Sequence, residues 1–144
     1  MGTLAVSNKD KYQKPYGNNL PSIRSSRRIS RYRFSCYEWK REGENKIPYY
    51  FLREDKKIMY IAGIYENSQF CLVTEEANKN IVDIHHRQPV ILNEVDVNRY
   101  LNIELNGSGF LKECKKPNLE FYEISKNVNK PTNNSISLIQ RVLN

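Results

Sequence analysis

The sequence predicts an α+β fold, a mostly antiparallel β-sheet with one or two short helices. Three observations carry that prediction. Side chains alternate with period two from Arg31 to Trp39. Runs rich in aromatic and β-branched residues then follow one another through short turn-forming links, which is the arrangement that pairs strands antiparallel. Helical spacing is confined to two short stretches, so helices decorate the sheet rather than alternate with every strand.

Taken in order, residues 1–26 are polar, with Pro15, Gly17, Asn18, Asn19 and Pro21 and no sustained periodicity. They read as an irregular or remodelled basic leader. In the next strand Tyr32, Phe34, Cys36 and Glu38 fall on one face, and Arg33, Ser35, Tyr37 and Trp39 on the other. A loop over Arg41–Asn45 leads to the strand Pro48–Leu52. Ile58–Tyr65 is a nearly continuous apolar run, expected of a strand buried on both sides. Glu66, Asn67 and Ser68 make a turn into Phe70–Val73. Thr74 then reads as a helix N-cap: Glu75 and Glu76 suit the positive end of the dipole, and Ala77, Ile81 and Ile84 stand at i, i+4 and i+7. Pro89 closes the segment His85–Gln88, Val90–Leu92 is a short strand, and Asp96–Leu101 is a second helix. Leu119–Ile124 reads as a strand and 126–134 as a polar loop, while 135–143 carries no clear pattern. Residues 27–130 thus form the core, followed by a C-terminal segment over 131–144.

Composition bounds the function classes. The 144 residues suit one domain, and no apolar run approaches the roughly 18–20 residues of a membrane span. Leu4-Ala5-Val6 is too short for a secretory core, so a cytoplasmic monomer is expected. Cys36, Cys71 and Cys114 form no C-x-x-C pair and have no histidine at zinc spacing, so free thiols are expected and no metal or cofactor is implied. The net charge of +7 is concentrated: residues 1–33 hold eight basic side chains against the single acid Asp10. Arg24, Arg27, Arg28, Arg31 and Arg33, interleaved with Ser and Tyr32, have the chemistry to contact phosphates. A solvated, unengaged leader fits the same charge pattern.

Few groups offer catalysis. Glu38 sits mid-strand between Tyr37 and Trp39, and a carboxylate set among aromatics loses hydration in a way that suits general acid work. An edge-strand glutamate facing water fits the same pattern. His85, one of two histidines, precedes a proline at the expected end of a helix, where a capping role is the alternative. There is no glycine-rich phosphate loop, no serine elbow and no metal-ligating cluster.

The segment Arg27-Arg-Ile-Ser-Arg-Tyr-Arg-Phe-Ser-Cys-Tyr-Glu-Trp-Lys40 resembles the motif R-R-C-L-x-P-A-x-G-F-Y-E-W-K of the SOS-response-associated peptidase (SRAP) family. It departs at Ile29, Tyr32, Ser35 and Cys36. Pro48-Tyr-Tyr50 is similar to that family's K-x-P-[YF]-[YF], and Ile61-Ala-Gly-Ile-Tyr-Glu66 to its F-A-G-L-[WY]-E strand. Val73-Thr-Glu-Glu-Ala-Asn78, followed by Ile84-His-His-Arg-Gln-Pro-Val-Ile-Leu92, resembles T-T-x-A-N … I-H-x-R-M-P-V-I-L, with Gln88 replacing Met. Ile124-Ser-Lys-Asn-Val-Asn129 resembles V-S-x-x-V-N.

The resemblance implies a protein that grips single-stranded DNA at abasic sites in the damage response. In the family, a cysteine exposed by removal of the initiator Met attacks the ring-opened aldehyde and closes a thiazolidine crosslink. By the same resemblance, Glu38 and His85 are the acid/base pair, Thr74 a hydrogen-bonding residue and Arg87 a contact to DNA. Arg27, Arg28 and Arg31 are expected on the backbone and Trp39 stacked on bases. The family's N-A-R motif falls near Asn8, where only the Asn is kept. Residue 2 is Gly, so the nucleophile is expected to be missing from a truncated or divergent member, and with it the stable crosslink. Two rivals remain. One is a Schiff-base lyase using the Gly2 amine, Glu38 and His85, in a family whose name carries a peptidase label. The other is a non-functional remnant with exposed sheet edges.

Overall fold

The computed structural model describes residues 5–7, 27–33, 35–66 and 69–143; most of the leader, including Asn8 and Arg24, and the expected turn at Asn67-Ser68 lie outside the described residues. In chain order the strands are β1 (Ala5–Ser7), β2 (Arg27–Arg33), β3 (Ser35–Glu42), β4 (Asn45–Arg53), β5 (Met59–Glu66), β6 (Gln69–Glu76), β7 (Arg87–Pro89), β8 (Ile91–Leu92) and β9 (Leu119–Glu123). Helices α1 (Glu94–Leu101) and α2 (Gly107–Glu113) lie between β8 and β9. All pairings are antiparallel, so the α+β, mostly antiparallel expectation holds.

The strands form a six-stranded and a three-stranded sheet. The larger runs β1-β6-β5-β2, and β7 and β8 enter it from a single chain segment. β5 and β6 pair from Gly63–Leu72 to Glu66–Gln69 and part beyond Gly63–Leu72. Into the opening comes the stretch 87–92: β7 pairs with β6, β8 pairs with β5, and Val90 between them bonds to both. Its N–H donates to Val73 O (2.9 Å) and its carbonyl accepts from Ala62 N (2.9 Å). This insertion fixes where Arg87 and Gln88 stand.

The larger sheet is covered on both faces, which is why β5 reads as almost unbroken hydrophobicity. On one side Ala62, Ile64, Cys71, Val73, Val90 and Leu92 pack against Tyr100 of α1 and Leu111 of α2. The Tyr100 hydroxyl donates to Gly63 O at 2.6 Å, satisfying a polar group in an otherwise dry core. On the other side Met59, Ile61 and Ile91 meet Cys36 and Leu119 of the three-stranded sheet β3-β4-β9.

Several expected elements are corrected. The strand read through Arg31–Trp39 is two strands in different sheets: β2 pairs with β5, whereas β3 pairs with β4. The helix expected from Thr74 does not form. Thr74 lies inside β6, between Ala5 of β1 and Pro89 of β7, so its neighbours' backbone groups are spent on ladders. Ala77, Ile81 and Ile84 do bury together against Phe51, but from a loop of short turns closed by Ala77 N to His86 O (3.1 Å). Helical spacing correctly identified the buried side chains and misassigned the backbone. α2, unforeseen, contains Gly107 and Gly109, weak helix formers, and is capped by Asn106 Oδ1 accepting from Gly109 N at 3.2 Å. The regions read as a polar loop and as patternless each hold a short 3-10 helix, Lys126–Asn129 and Ile136–Ile139.

Candidate functional site

Where the two sheets meet, the loop between β6 and β7 closes over β3 and leaves a small, partly open cleft. Its walls are apolar: Phe51 of β4, Ile81 of the loop, Ile91 of β8 and Leu119 of β9. Residues with polar side chains border it on two sides. β3 contributes Cys36 and Glu38, which alternation sets on the same face, and β7 contributes Arg87 and Gln88.

Arg87 is held by its neighbour across the ladder. Its Nε and Nη2 each donate to Thr74 Oγ1 at 3.2 Å, and Nη2 also donates to the Thr74 carbonyl at 2.7 Å. Thr74 is itself buried. These hydrogen bonds orient the guanidinium.

His85 packs against the backbone of Arg87. Its Nδ1 lies 2.8 Å from Arg87 O and 3.1 Å from Arg87 N. In either tautomer Nδ1 is engaged by the Arg87 backbone, accepting from its N–H or donating to its carbonyl, so the ring is held in place. The ring stacks on His86 with centroids 4.8 Å apart.

Gln88 is the residue that sequence reasoning under-weighted. It is buried and uses both ends of its amide: Oε1 accepts from Asn78 N at 3.0 Å, and Nε2 donates to Glu75 Oε1 at 3.0 Å. Lys116, just beyond α2, lies 3.6 Å from Glu75 Oε2. This chain of contacts ties the His85 loop to β6 and to the helical layer. The signal was present as a polar residue amid the apolar Pro-Val-Ile-Leu run.

The remaining candidates fall elsewhere. Trp39 is not in the cleft: it pairs with Pro48 on the opposite face of β3, and its Nε1 donates to Asn129 Oδ1 at 2.7 Å. For the same reason Tyr37 and Trp39 do not surround Glu38; its cross-strand aromatic neighbour is Tyr49. Arg27, Arg28 and Arg31 stand in β2 opposite Tyr65, Ile64 and Ile61. Asn8 lies outside the described residues. Among the described residues no group of three or more His, Cys, Asp or Glu is placed to hold a metal ion, and no helix is long and apolar enough to cross a membrane.

A sequence model of the SOS response associated peptidase (SRAP) family matches residues 23–131. The chain belongs to that family. Among relatives, "Abasic site processing protein YoqW" of Bacillus subtilis (strain 168) is 32% identical over 120 residues, covering 74% of this chain and 54% of that protein. "Abasic site processing protein YedK" of Escherichia coli (strain K12) is 29% identical over 119 residues, with the same coverage of 74% and 54%. A crystal structure of a protein from Bacteroides thetaiotaomicron superposes with a TM-score of 0.64 at 26% identity, covering 82% of this chain and 58% of the other. The chain therefore spans about half the length of the curated relatives it matches. The SRAP match takes in both walls of the cleft, from β3 to β9.

Proposed function

We propose that this SRAP chain binds single-stranded DNA at abasic sites, as part of a damage response, and does so without the cysteine-dependent thiazolidine crosslink. The observation that carries the reading is the cleft, which has Glu38 on one wall and Arg87, oriented by Thr74, on the other. Such a site suits a ring-opened abasic sugar: Arg87 meets the flanking phosphate, and Glu38 and the His85 imidazole exchange protons with the aldehyde or its hydrate. Family membership and relatives named for abasic-site processing point the same way.

The crosslink-free reading is supported by the thiols that this sequence contains. A thiazolidine needs an amine and a thiol on one residue, and Cys36, Cys71 and Cys114 are all internal, with their α-nitrogens in peptide bonds. Cys71 is buried in the core, and burial pushes its thiol pKa up, away from the reactive thiolate.

The test is incubation of the purified protein with a single-stranded oligonucleotide carrying one abasic site, beside an undamaged control. Native gels should show salt-sensitive binding to both strands and tighter binding to the abasic one; denaturing gels should show no heat-stable band. Loss of the abasic preference on Glu38→Gln would locate the discrimination in the cleft. A heat-stable band would overturn the crosslink-free reading, and a band seen only after borohydride reduction would favour amine chemistry instead. No binding to either strand would remove the whole proposal.

A further inference from the structure

The outer face of the three-stranded sheet carries a second arrangement that the cleft does not use. Because alternation puts Cys36, Glu38 and Lys40 inward, it puts Tyr37, Trp39 and Arg41 outward. Tyr37 stands opposite Tyr50, Trp39 opposite Pro48 and Arg41 opposite Lys46. The Tyr37 and Trp39 rings are 6.4 Å apart, and Tyr37 is 37% exposed.

Arg41 and Lys46 are like charges directly across a strand pair, an arrangement that is destabilising unless an anion lies between them. Among the described residues neither makes an ion pair. Glu42, the nearest acid along β3, faces the other way and is held by Lys40 at 2.7 Å. The Trp39–Asn129 hydrogen bond brings in the first 3-10 helix, and Lys126 and Lys130, both exposed, flank Asn129 in the chain.

We propose that this face is a second contact surface for single-stranded nucleic acid, on the opposite side of β3 from the Glu38 cleft. Tyr37 and Trp39 stack on bases, and Arg41 and Lys46 neutralise the phosphates between them. Aromatic platforms bounded by basic side chains grip single strands with little sequence preference, since every base has a π face. The surface extends the reading of the cleft as a DNA site and does not require an abasic lesion.

Trp39 is the only tryptophan in the chain, so its emission reports this face directly. The experiment titrates the full chain with an undamaged fluorescein-labelled dT oligonucleotide. Binding is followed by label anisotropy and, in parallel with the unlabelled strand, by Trp39 emission. Saturable quenching that tracks the anisotropy is expected. The Arg41→Gln/Lys46→Gln pair should weaken binding at least fivefold and lower the salt slope by about 1.4, from roughly 0.7 per phosphate on a single strand. In Arg87→Gln the quenching should persist while abasic preference falls.

Strand binding with unchanged Trp39 emission, and the same salt slope in the double variant, would overturn this inference and leave the cleft reading standing. Quenching without any abasic preference would do the reverse. Absence of binding to any strand would overturn both. A uridine oligonucleotide in the same titration distinguishes an RNA from a DNA occupant.

Discussion

Removing the Thr74 hydroxyl is the sharpest test of how the cleft is held. Thr74→Val keeps the shape and the β-branching of a residue inside β6, so the strand itself is not disturbed. It deletes the oxygen to which Arg87 Nε and Nη2 both donate at 3.2 Å and keeps the 2.7 Å bond to the Thr74 carbonyl. Hydrogen bonds to a charged group are worth about 1.5–3 kcal/mol, and the two donors share one acceptor, so a loss of about 2 kcal/mol is expected. Urea unfolding should show it as a midpoint lowered by about 1 M with an unchanged slope. Thr74→Ser, which keeps the hydroxyl, should recover most of that loss. If the guanidinium also swings from its position, abasic-strand binding will weaken in Thr74→Val and recover in Thr74→Ser. A valine variant within about 0.5 kcal/mol of the parent, or a serine variant as unstable as the valine one, would refute the claim that the hydroxyl positions Arg87.

Three further outcomes follow from the same coordinates. Gln88→Met strands the Asn78 N–H and one Glu75 oxygen, so it should cost about 1–3 kcal/mol by thermal or urea unfolding, and adding Glu75→Leu should restore part of it. Asp55 is bound by Arg53 Nε and Nη2 at 2.8 and 2.6 Å, which holds its carboxyl at about 2, below the usual carboxylate range. Its folded pKa is depressed, so the stabilisation is complete above the unfolded pKa and is lost as pH falls from about 4 toward 2, a titration that NMR of the Asp55 carboxyl will follow. Gly43 turns β3 into β4 at φ +61 with nothing within 4 Å of an added Cβ, so Gly43→Ala should cost about 1–2 kcal/mol through the backbone alone, read by urea unfolding.

The strands that read most clearly were those whose side chains report burial. β4, β5, β6 and β9 each carry an aromatic or aliphatic run, and each lies against another layer. β7 and β8 are three and two residues long, too short to impose a period, and they exist because β5 and β6 part to admit them. The misassigned helix from Thr74 has a related cause. Ala77, Ile81 and Ile84 are apolar at helical spacing because they plug one hydrophobic gap above Phe51, and spacing cannot distinguish a helix face from a loop folded over a cluster. Within the site, Glu38 and Arg87 were legible as motif positions, but their meeting depends on β3 and β7 belonging to different sheets. Trp39 was the instructive miss: its neighbour in sequence is Glu38, and for that reason its side chain goes the other way.

That opposition makes the β3–β4 register the variable on which both surfaces depend. The hairpin turns through two residues, Gly43 and Glu44, between the paired Glu42 and Asn45, with positive φ at Gly43 only. This is the pattern of a type II′ turn, whose twist matches that of the flanking strands and admits one register. In that register Glu38 borders the cleft, Trp39 faces Asn129, and β9 continues the division, with Leu119 and Phe121 inward and Tyr122 tilted against Tyr50 outward. A slip of one residue would turn Glu38 onto the aromatic face and drive the indole against Ile81 and Phe51. The environment of the one carboxylate on the cleft wall is therefore set less by the residues beside it than by a glycine five positions away, whose left-handed backbone decides which way every side chain of β3 points.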